Sequence, residues 1–119
     1  MRLAKKFLCS LFKRKNTLLG NGYTVEQSYG CKWLIDWSNS VDKKMAFKLF
    51  EDDQIRFLLN NIPIYNPEFF LDIGAHVGLT ILPLCEVSSD NTKIYGFEPS
   101  SRNFEALKFN VELNNYHKV

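Results

Sequence analysis

Two short segments, each following an apolar run, contain the residues of this chain best suited to binding a ligand. The first is the glycine turn DIGAHVG at residues 72–78, and the second is the segment EPS at residues 98–100. Without side chains at Gly74 and Gly78, a ligand could approach the backbone closely, and Gly74 could adopt a positive φ. Backbone N–H groups at the start of the following helix suit a carboxylate or phosphate. Glu98 could accept hydrogen bonds from neighbouring ribose hydroxyls, so the two segments together predict a nucleotide-like ligand.

A purely structural interpretation of the same residues stays open. Gly74 and Gly78 would then only allow tight packing, and Glu98 would cap the next helix. The turn also departs from the dinucleotide-binding pattern G-x-G-x-x-G, because Ala75 and His76 follow Gly74. A dinucleotide-dependent oxidoreductase remains an alternative, although the chain lacks the full sequence pattern of that class.

The elements around these segments predict an α/β fold. Apolar runs at residues 69–73 and 93–98 are typical of two parallel strands, each followed by a helix. The first helix, residues 79–87, contains Pro83 and is expected to be short or bent. The second is expected to run from Ser100 or Ser101 to Leu113, with a wide apolar face that includes Phe104 and Phe109. Residues 67–119 are thus predicted to form the first two strands and helices of an incomplete Rossmann-like parallel sheet.

Residues 22–66 are predicted to form an entry segment ahead of this sheet. Alternating apolar residues at 32–37 and 45–49, separated by turn residues, predict a β-hairpin. Its tryptophans, Trp33 and Trp37, could pack in the core or form a stacking platform. Apolar residues at helical spacing predict a helix over residues 51–62, and Pro63 predicts the loop after it.

Residues 1–21 are predicted to be a basic amphipathic helix followed by a linker. Leucine and phenylalanine residues within 2–15 fall on one helical stripe, and the first sixteen residues contain six lysines and arginines. Such a helix could bind peripherally to an anionic membrane surface, or it could pack against its own domain.

Composition limits the class of protein. The 119 residues suffice for one domain, and a net charge of +2 gives no argument for a nucleic-acid partner. The three cysteines, Cys9, Cys31 and Cys85, have neither metal-site nor disulfide-framework spacing. We therefore predict reduced thiols, no metal, and a cytoplasmic location.

Beyond these patterns, the turn DIGAHVG resembles motif I of class I S-adenosylmethionine-dependent methyltransferases. More narrowly, FLDIGAHVGLT at residues 69–80 and YGFEPSSRNFEALKFNVELNN at residues 95–115 resemble the FkbM family of methyltransferases. The resemblance covers roughly residues 33–115 and is most specific in the second half. It implies an S-adenosyl-L-methionine cofactor and methyl transfer to a hydroxyl group of a sugar or natural-product acceptor.

The resemblance also implies roles for individual residues. Asp72 and Gly74 would contact the methionine end of the cofactor, residues 75–78 (Ala75, His76, Val77 and Gly78) would pass close to it, and Glu98 would hold the ribose. Pro99 and Ser100 would lie near the adenine. His76 stands where the family often has asparagine, and it could stabilise the turn, bind a metal or act as a base.

The resemblance assigns no catalytic base. Later strands of the family's sheet supply much of the acceptor site, so this chain is expected to be an amino-terminal fragment, inactive and marginally stable by itself. A shortened, non-catalytic binding or interaction module is the alternative.

Overall fold

The structure, a computed structural model, describes residues 22–119 and arranges them as an α/β fold. In chain order the elements are β1 (Tyr23–Ser28), β2 (Cys31–Asp36), α1 (Ser40–Ala46), α2 (Asp52–Tyr65), β3 (Phe69–Ile73), α3 (Ile81–Val87), β4 (Lys93–Phe97) and α4 (Ser101–Leu113). In this part of the chain, β1 and β2 form an antiparallel sheet, and β3 and β4 form a parallel one. The helix predicted for residues 2–15 lies outside the described residues.

The β-hairpin of the entry segment pairs β2 with β1, so the prediction that residues 45–49 are its second strand is wrong. Tyr29 and Gly30 both have positive φ, as a two-residue hairpin turn requires. The shared face predicted for Trp33, Ile35 and Trp37 is confirmed as a core face, because all three residues are buried. The Trp33 indole N–H donates to the Ser28 carbonyl oxygen at 3.0 Å, so the ring is satisfied inside the core and is not an exposed stacking platform.

Residues 45–49 are not a strand because the turn residues before them start a helix. The Asn39 side-chain oxygen accepts a hydrogen bond from the Val41 N–H at 2.8 Å and caps α1. Asparagine and serine favour turns and helix N-caps alike, so the sequence alone did not separate the two. Met45 still packs in the core, from the helix and not from a strand.

Helix α2 extends three residues beyond its predicted end at Ile62 and includes Pro63, which was expected in a loop. The helix ends at Asn66, which has a left-handed conformation and donates its N–H to the Ile62 carbonyl oxygen at 2.8 Å. This bond bridges Pro63 and closes the last turn without needing the N–H that proline lacks.

The parallel pairing of β3 and β4 is confirmed, with Phe69 opposite Lys93 and Ile73 opposite Phe97. Helix α3 between them has seven residues and begins at Ile81, two residues later than predicted. Pro83 therefore lies in the first turn, where the backbone N–H has no partner inside the helix, and it does not break the helix.

One hydrophobic core joins the hairpin to the parallel sheet through α3 and α4. Its members include Trp33, Ile81, Leu84, Ile94 and Leu107. The predicted apolar face of α4 is only partly correct: Leu107 is buried, but Phe104 and Phe109 are 40% and 44% exposed. Asn110, a polar residue, is fully buried in their place.

One face of the β3–β4 sheet packs on the helices, and the other is apolar and exposed. Phe70 and Ile94 lie on the packed face. Five residues of the two strands are at least 47% exposed: Phe69, Leu71, Ile73, Tyr95 and Phe97. Among residues 22–119, no helix is both long enough and apolar enough to cross a bilayer.

Candidate functional site

The glycine turn and Glu98 meet at the carboxyl edge of the parallel sheet. The N–H groups of Gly74 and Ala75 both donate to the Phe97 carbonyl oxygen, at 2.8 and 3.0 Å. The next N–H, that of His76, donates to Glu98 Oε2 at 2.8 Å. These bonds close the turn onto the end of β4, as expected for residues that share one strand edge.

The same bonds change the predicted role of the turn. Gly78 also uses its N–H inside the protein, donating to the Ala75 carbonyl oxygen at 2.8 Å. Helix α3 begins three residues after Gly78, so the turn does not lead directly into its first N–H groups. The N–H groups of Gly74, Ala75, His76 and Gly78 are therefore not free for an anionic ligand group. At the start of α3, where free donors were predicted, the Leu82 N–H donates to the Gly78 carbonyl oxygen at 3.0 Å and Pro83 has no N–H.

Gly74 and Gly78 both have positive φ, +88° and +98°, but their surroundings differ. A Cβ atom added at Gly74 would meet nothing within 4 Å, so a ligand could lie against this residue. A Cβ atom at Gly78 would lie 2.3 Å from Leu82 Cδ1 and 2.9 Å from Leu107 Cδ1. Gly74 therefore fits the ligand-binding interpretation, whereas Gly78 fits the packing interpretation.

Glu98 lies at the predicted strand end, but most of its hydrogen-bonding capacity is used within the chain. Oε2 accepts from the His76 N–H, and Oε1 accepts from the Ser100 N–H at 3.0 Å and from Asn103 Nδ2 at 3.4 Å. The Ser100 N–H, helped by the His76 N–H and Asn103, lowers the pKa of Glu98 against the opposing effect of desolvation. A carboxylate has about four acceptor positions, so about one remains free. Two ribose hydroxyls would need the long Asn103 contact to open.

Asp72 is the penultimate residue of β3, opposite Gly96, and its carboxylate is partly buried. Burial, followed by the negative charge of Glu51, raises its pKa above the ordinary value for aspartate. A positively charged ligand group, such as an α-ammonium, would offset both the cost of burying this carboxylate and its repulsion by Glu51. Asp72 therefore has the chemistry expected of a contact to the methionine end of the predicted cofactor.

The other predicted site residues occupy different environments. Ala75 is buried, so it supports the turn from inside. Pro99 and Ser100 are exposed beyond the end of β4, where a ligand could reach them. Ser100 also caps α4, because its Oγ accepts from the Asn103 N–H at 3.5 Å.

His76 stabilises the turn through its backbone and not through its side chain. Its φ of +50° is left-handed, and its N–H holds Glu98 as described above. Its Nδ1 atom is buried without a hydrogen-bond partner. Within residues 22–119, no three His, Cys, Asp or Glu side chains come together as a possible metal site, so His76 is not part of such a group.

Asn110 of α4 and Asn114, which caps the end of this helix, attach it to the hairpin through their side chains. The sequence predicted Asn114 and Asn115 only as a left-handed helix stop, and in the structure Asn115 has the left-handed φ, +56°. Asn110 accepts from the Leu34 N–H at 2.9 Å and donates to the Val77 carbonyl oxygen at 3.0 Å. Asn114 exchanges two 2.8 Å bonds with the backbone of Lys32. Residues four apart on a helix lie on the same face, so both amides lie along β2. This spacing is the signal in the sequence that could have indicated their shared role.

An ion pair also connects the hairpin to the start of α4. Arg102 Nη2 lies 2.6 Å from Asp36 Oδ2. Burial acts to raise the pKa of Asp36, but hydrogen bonds from the Ser38 hydroxyl and N–H, together with Arg102, lower it overall. The end of β2 is thereby fixed beside the start of α4.

Comparisons of the chain with protein-family models, with curated proteins and with solved structures found no match. The site is therefore interpreted from its own geometry and from the motif resemblance described above.

Proposed function

We propose that this chain binds S-adenosylmethionine at the carboxyl edge of β3 and β4, as part of an FkbM-like methyltransferase with a Rossmann-like sheet. The observation that carries the proposal is Gly74: its positive φ and the open space beside it leave room for a ligand at a parallel strand end. The half-buried carboxylate of Asp72, two residues earlier, adds a group suited to an ammonium.

The residues fit the proposed cofactor unevenly. Asp72 would bind the methionine ammonium, Gly74 would let the ligand lie against the backbone, and Glu98 would accept one ribose hydroxyl. Pro99 and Ser100 would border the adenine. A second ribose contact to Glu98 would displace Asn103, whose 3.4 Å bond is the longest of the three to this carboxylate.

When bound, S-adenosylmethionine would supply a sulfonium methyl group, which an acceptor hydroxyl oxygen takes up as the methyl–sulfur bond breaks towards sulfur and the hydroxyl proton leaves. The chain's own task is to align the two reacting groups and to receive that proton. The proposed acceptor is a hydroxyl group of a sugar or natural product.

Calorimetric titration with S-adenosylhomocysteine tests the cofactor assignment. We expect saturable binding to the wild-type chain and at least about a tenfold loss in Gly74→Ala, because the new methyl group would occupy the ligand's space. Gly30→Ala is the matched control, since Gly30 has a φ of +84° in the hairpin turn and contacts the flexible side chain of Glu86. Equal binding by Gly74→Ala and the wild type would remove the turn from the site.

A further titration, with NAD, separates the alternatives. Saturable NAD binding without S-adenosylhomocysteine binding would instead favour the dinucleotide-dependent oxidoreductase. Binding of neither ligand would favour the non-catalytic interaction module, for which the exposed apolar face of β3 and β4 is the relevant surface.

A further inference from the structure

A cavity of about 260 Å³ lies between the hairpin, α1 and the start of α4. Its polar wall contains Asp36, Asp42, Arg102 and Asn103, and Val77 of the glycine turn closes one side. Small-molecule sites typically measure about 300–1,000 Å³, so this cavity has room for a small polar group or part of a sugar ring.

The cavity adjoins the proposed cofactor site through two of its lining residues. Val77 lies between His76 and Gly78 in the glycine turn, and Asn103 donates to Glu98 Oε1. A ligand in the cavity would therefore be a neighbour of a ligand at the strand edge.

Asp42 is the unusual member of this cavity wall. The residue is 4% exposed, and its Oδ2 accepts from the Asp36 N–H at 3.0 Å. Its Oδ1 is buried and has no hydrogen-bond partner. A buried acceptor without a partner is rare in proteins, and it often marks a place where a ligand or water binds.

The charged groups around Asp42 come from three parts of the chain. Burial raises its pKa, and the negative charge of Asp36 acts in the same direction. The Asp36 N–H, His76 and Arg102 oppose this rise. The carboxyl group is therefore more basic than that of an ordinary aspartate, which suits a group that accepts a proton.

We propose that this cavity binds the hydroxyl group of the methyl acceptor, which donates its hydrogen bond to Asp42 Oδ1 and leaves its proton there. The inference rests on the proposed methyltransferase function and adds the residue that the sequence could not supply. A hydroxyl group suits the position because it carries one donor for Oδ1 and retains acceptor lone pairs for a neighbour such as Arg102.

The test uses glycerol as the hydroxyl probe and glycerol trimethyl ether, which lacks a donor, as its matched control. The carboxyl-carbon NMR resonance of Asp42 is followed in the wild-type chain while each compound is added. We expect glycerol to shift this resonance saturably and to lower the pKa of Asp42, since a hydrogen bond to the carboxylate favours its charged form. The ether should do neither.

The variant Asp42→Asn keeps an oxygen for the Asp36 N–H but replaces Oδ1 with an amide donor. We expect it to lose glycerol affinity about tenfold or more, measured at the backbone amides around the cavity. Asp90→Asn, at an exposed turn residue, should bind glycerol like the wild type.

An absent or unsaturable glycerol response at Asp42 of the wild-type chain overturns the inference, whether or not the variant folds. Equal glycerol binding by Asp42→Asn and the wild type would do the same. Titration with S-adenosylhomocysteine, run on the same samples, distinguishes the two proposals: intact cofactor binding with no response at Asp42 refutes only the acceptor site.

Discussion

Alanine substitutions at Gly74 and Gly78 should separate ligand clearance from packing, because the two residues share a backbone conformation and differ in their surroundings. Both φ values are positive, +88° and +98°, and a left-handed conformation costs a side-chain-bearing residue about 1–2 kcal/mol. This cost is common to the two variants and cancels in their comparison.

The packing cost is specific to Gly78. Its added Cβ would lie 2.3 Å from Leu82 Cδ1 and 2.9 Å from Leu107 Cδ1, and both leucines are in the core. Overpacking of a core typically costs about 1–3 kcal/mol. We therefore expect Gly78→Ala to lose about 2–5 kcal/mol of unfolding free energy and Gly74→Ala about 1–2 kcal/mol.

Urea unfolding followed by tryptophan fluorescence measures both losses, because Trp33 and Trp37 are buried. Gly30→Ala, with its φ of +84°, adds to the backbone cost only a 3.2 Å approach to Glu86 Oε2, so its loss should lie closer to that of Gly74→Ala than to that of Gly78→Ala. A Gly78→Ala chain without a cooperative transition, beside a folded Gly74→Ala chain, would also agree with the expectation. Equal losses in the two turn variants would refute the packing role of Gly78.

Three further predictions concern the interior of the fold. Asn110→Ala should lower the unfolding free energy by at least about 2 kcal/mol in urea titrations, because a backbone N–H and a carbonyl oxygen lose their partner; a neutral effect would contradict the bridging role. Burial raises the pKa of Cys31 to about 11 and that of Cys85 to about 12. With the remaining cysteine replaced by serine, both thiols should therefore react with a thiol reagent far more slowly in the native chain than in the unfolded chain. Comparable rates in the two states would contradict the burial of these thiols. Asp36 and Asp42 should affect stability in opposite directions. The lowered pKa of Asp36 stabilises the fold above the unfolded-state pKa, and this contribution is lost as pH falls through the folded-state value. The raised pKa of Asp42 contributes stability that is fully present below the unfolded-state pKa and is lost as pH rises through the folded-state value. At neutral pH, Asp36→Asn should therefore lower and Asp42→Asn raise the unfolding free energy; shifts of the same sign would refute this assignment.

The sequence predicted the elements whose signals are local. Large apolar residues at every second position, Trp33, Ile35 and Trp37, identified β2, and the two apolar runs identified β3 and β4. The sequence did not predict the strand β1. Its apolar residues Tyr23 and Val25 are exposed in the structure and belong to no buried face. Pairing with β2 supports β1 more than its own pattern does.

The site was predicted in its position but not in its internal bonding. The turn and Glu98 do meet at one strand edge, which follows from the spacing of two parallel strands. The donors that Glu98 accepts from belong to residues 76, 100 and 103, and no local pattern indicates which lone pairs they use. Asp42 was missed for a related reason, because its burial depends on α1 packing against the hairpin.

Many of the residues that carry the motif resemblance have a structural role within this chain that is enough to explain their residue type. Gly78 leaves room for two core leucines, Glu98 connects the turn to α4, and Asn110 connects α4 to the hairpin. Asp72 and Gly74 differ. Among the described residues, nothing occupies the space beside Gly74, and the effects on Asp72 that shift its pKa all disfavour its charge. A cationic ligand lying against Gly74 would account for both features, so these two residues support the proposed cofactor more than the strand-end glutamate does.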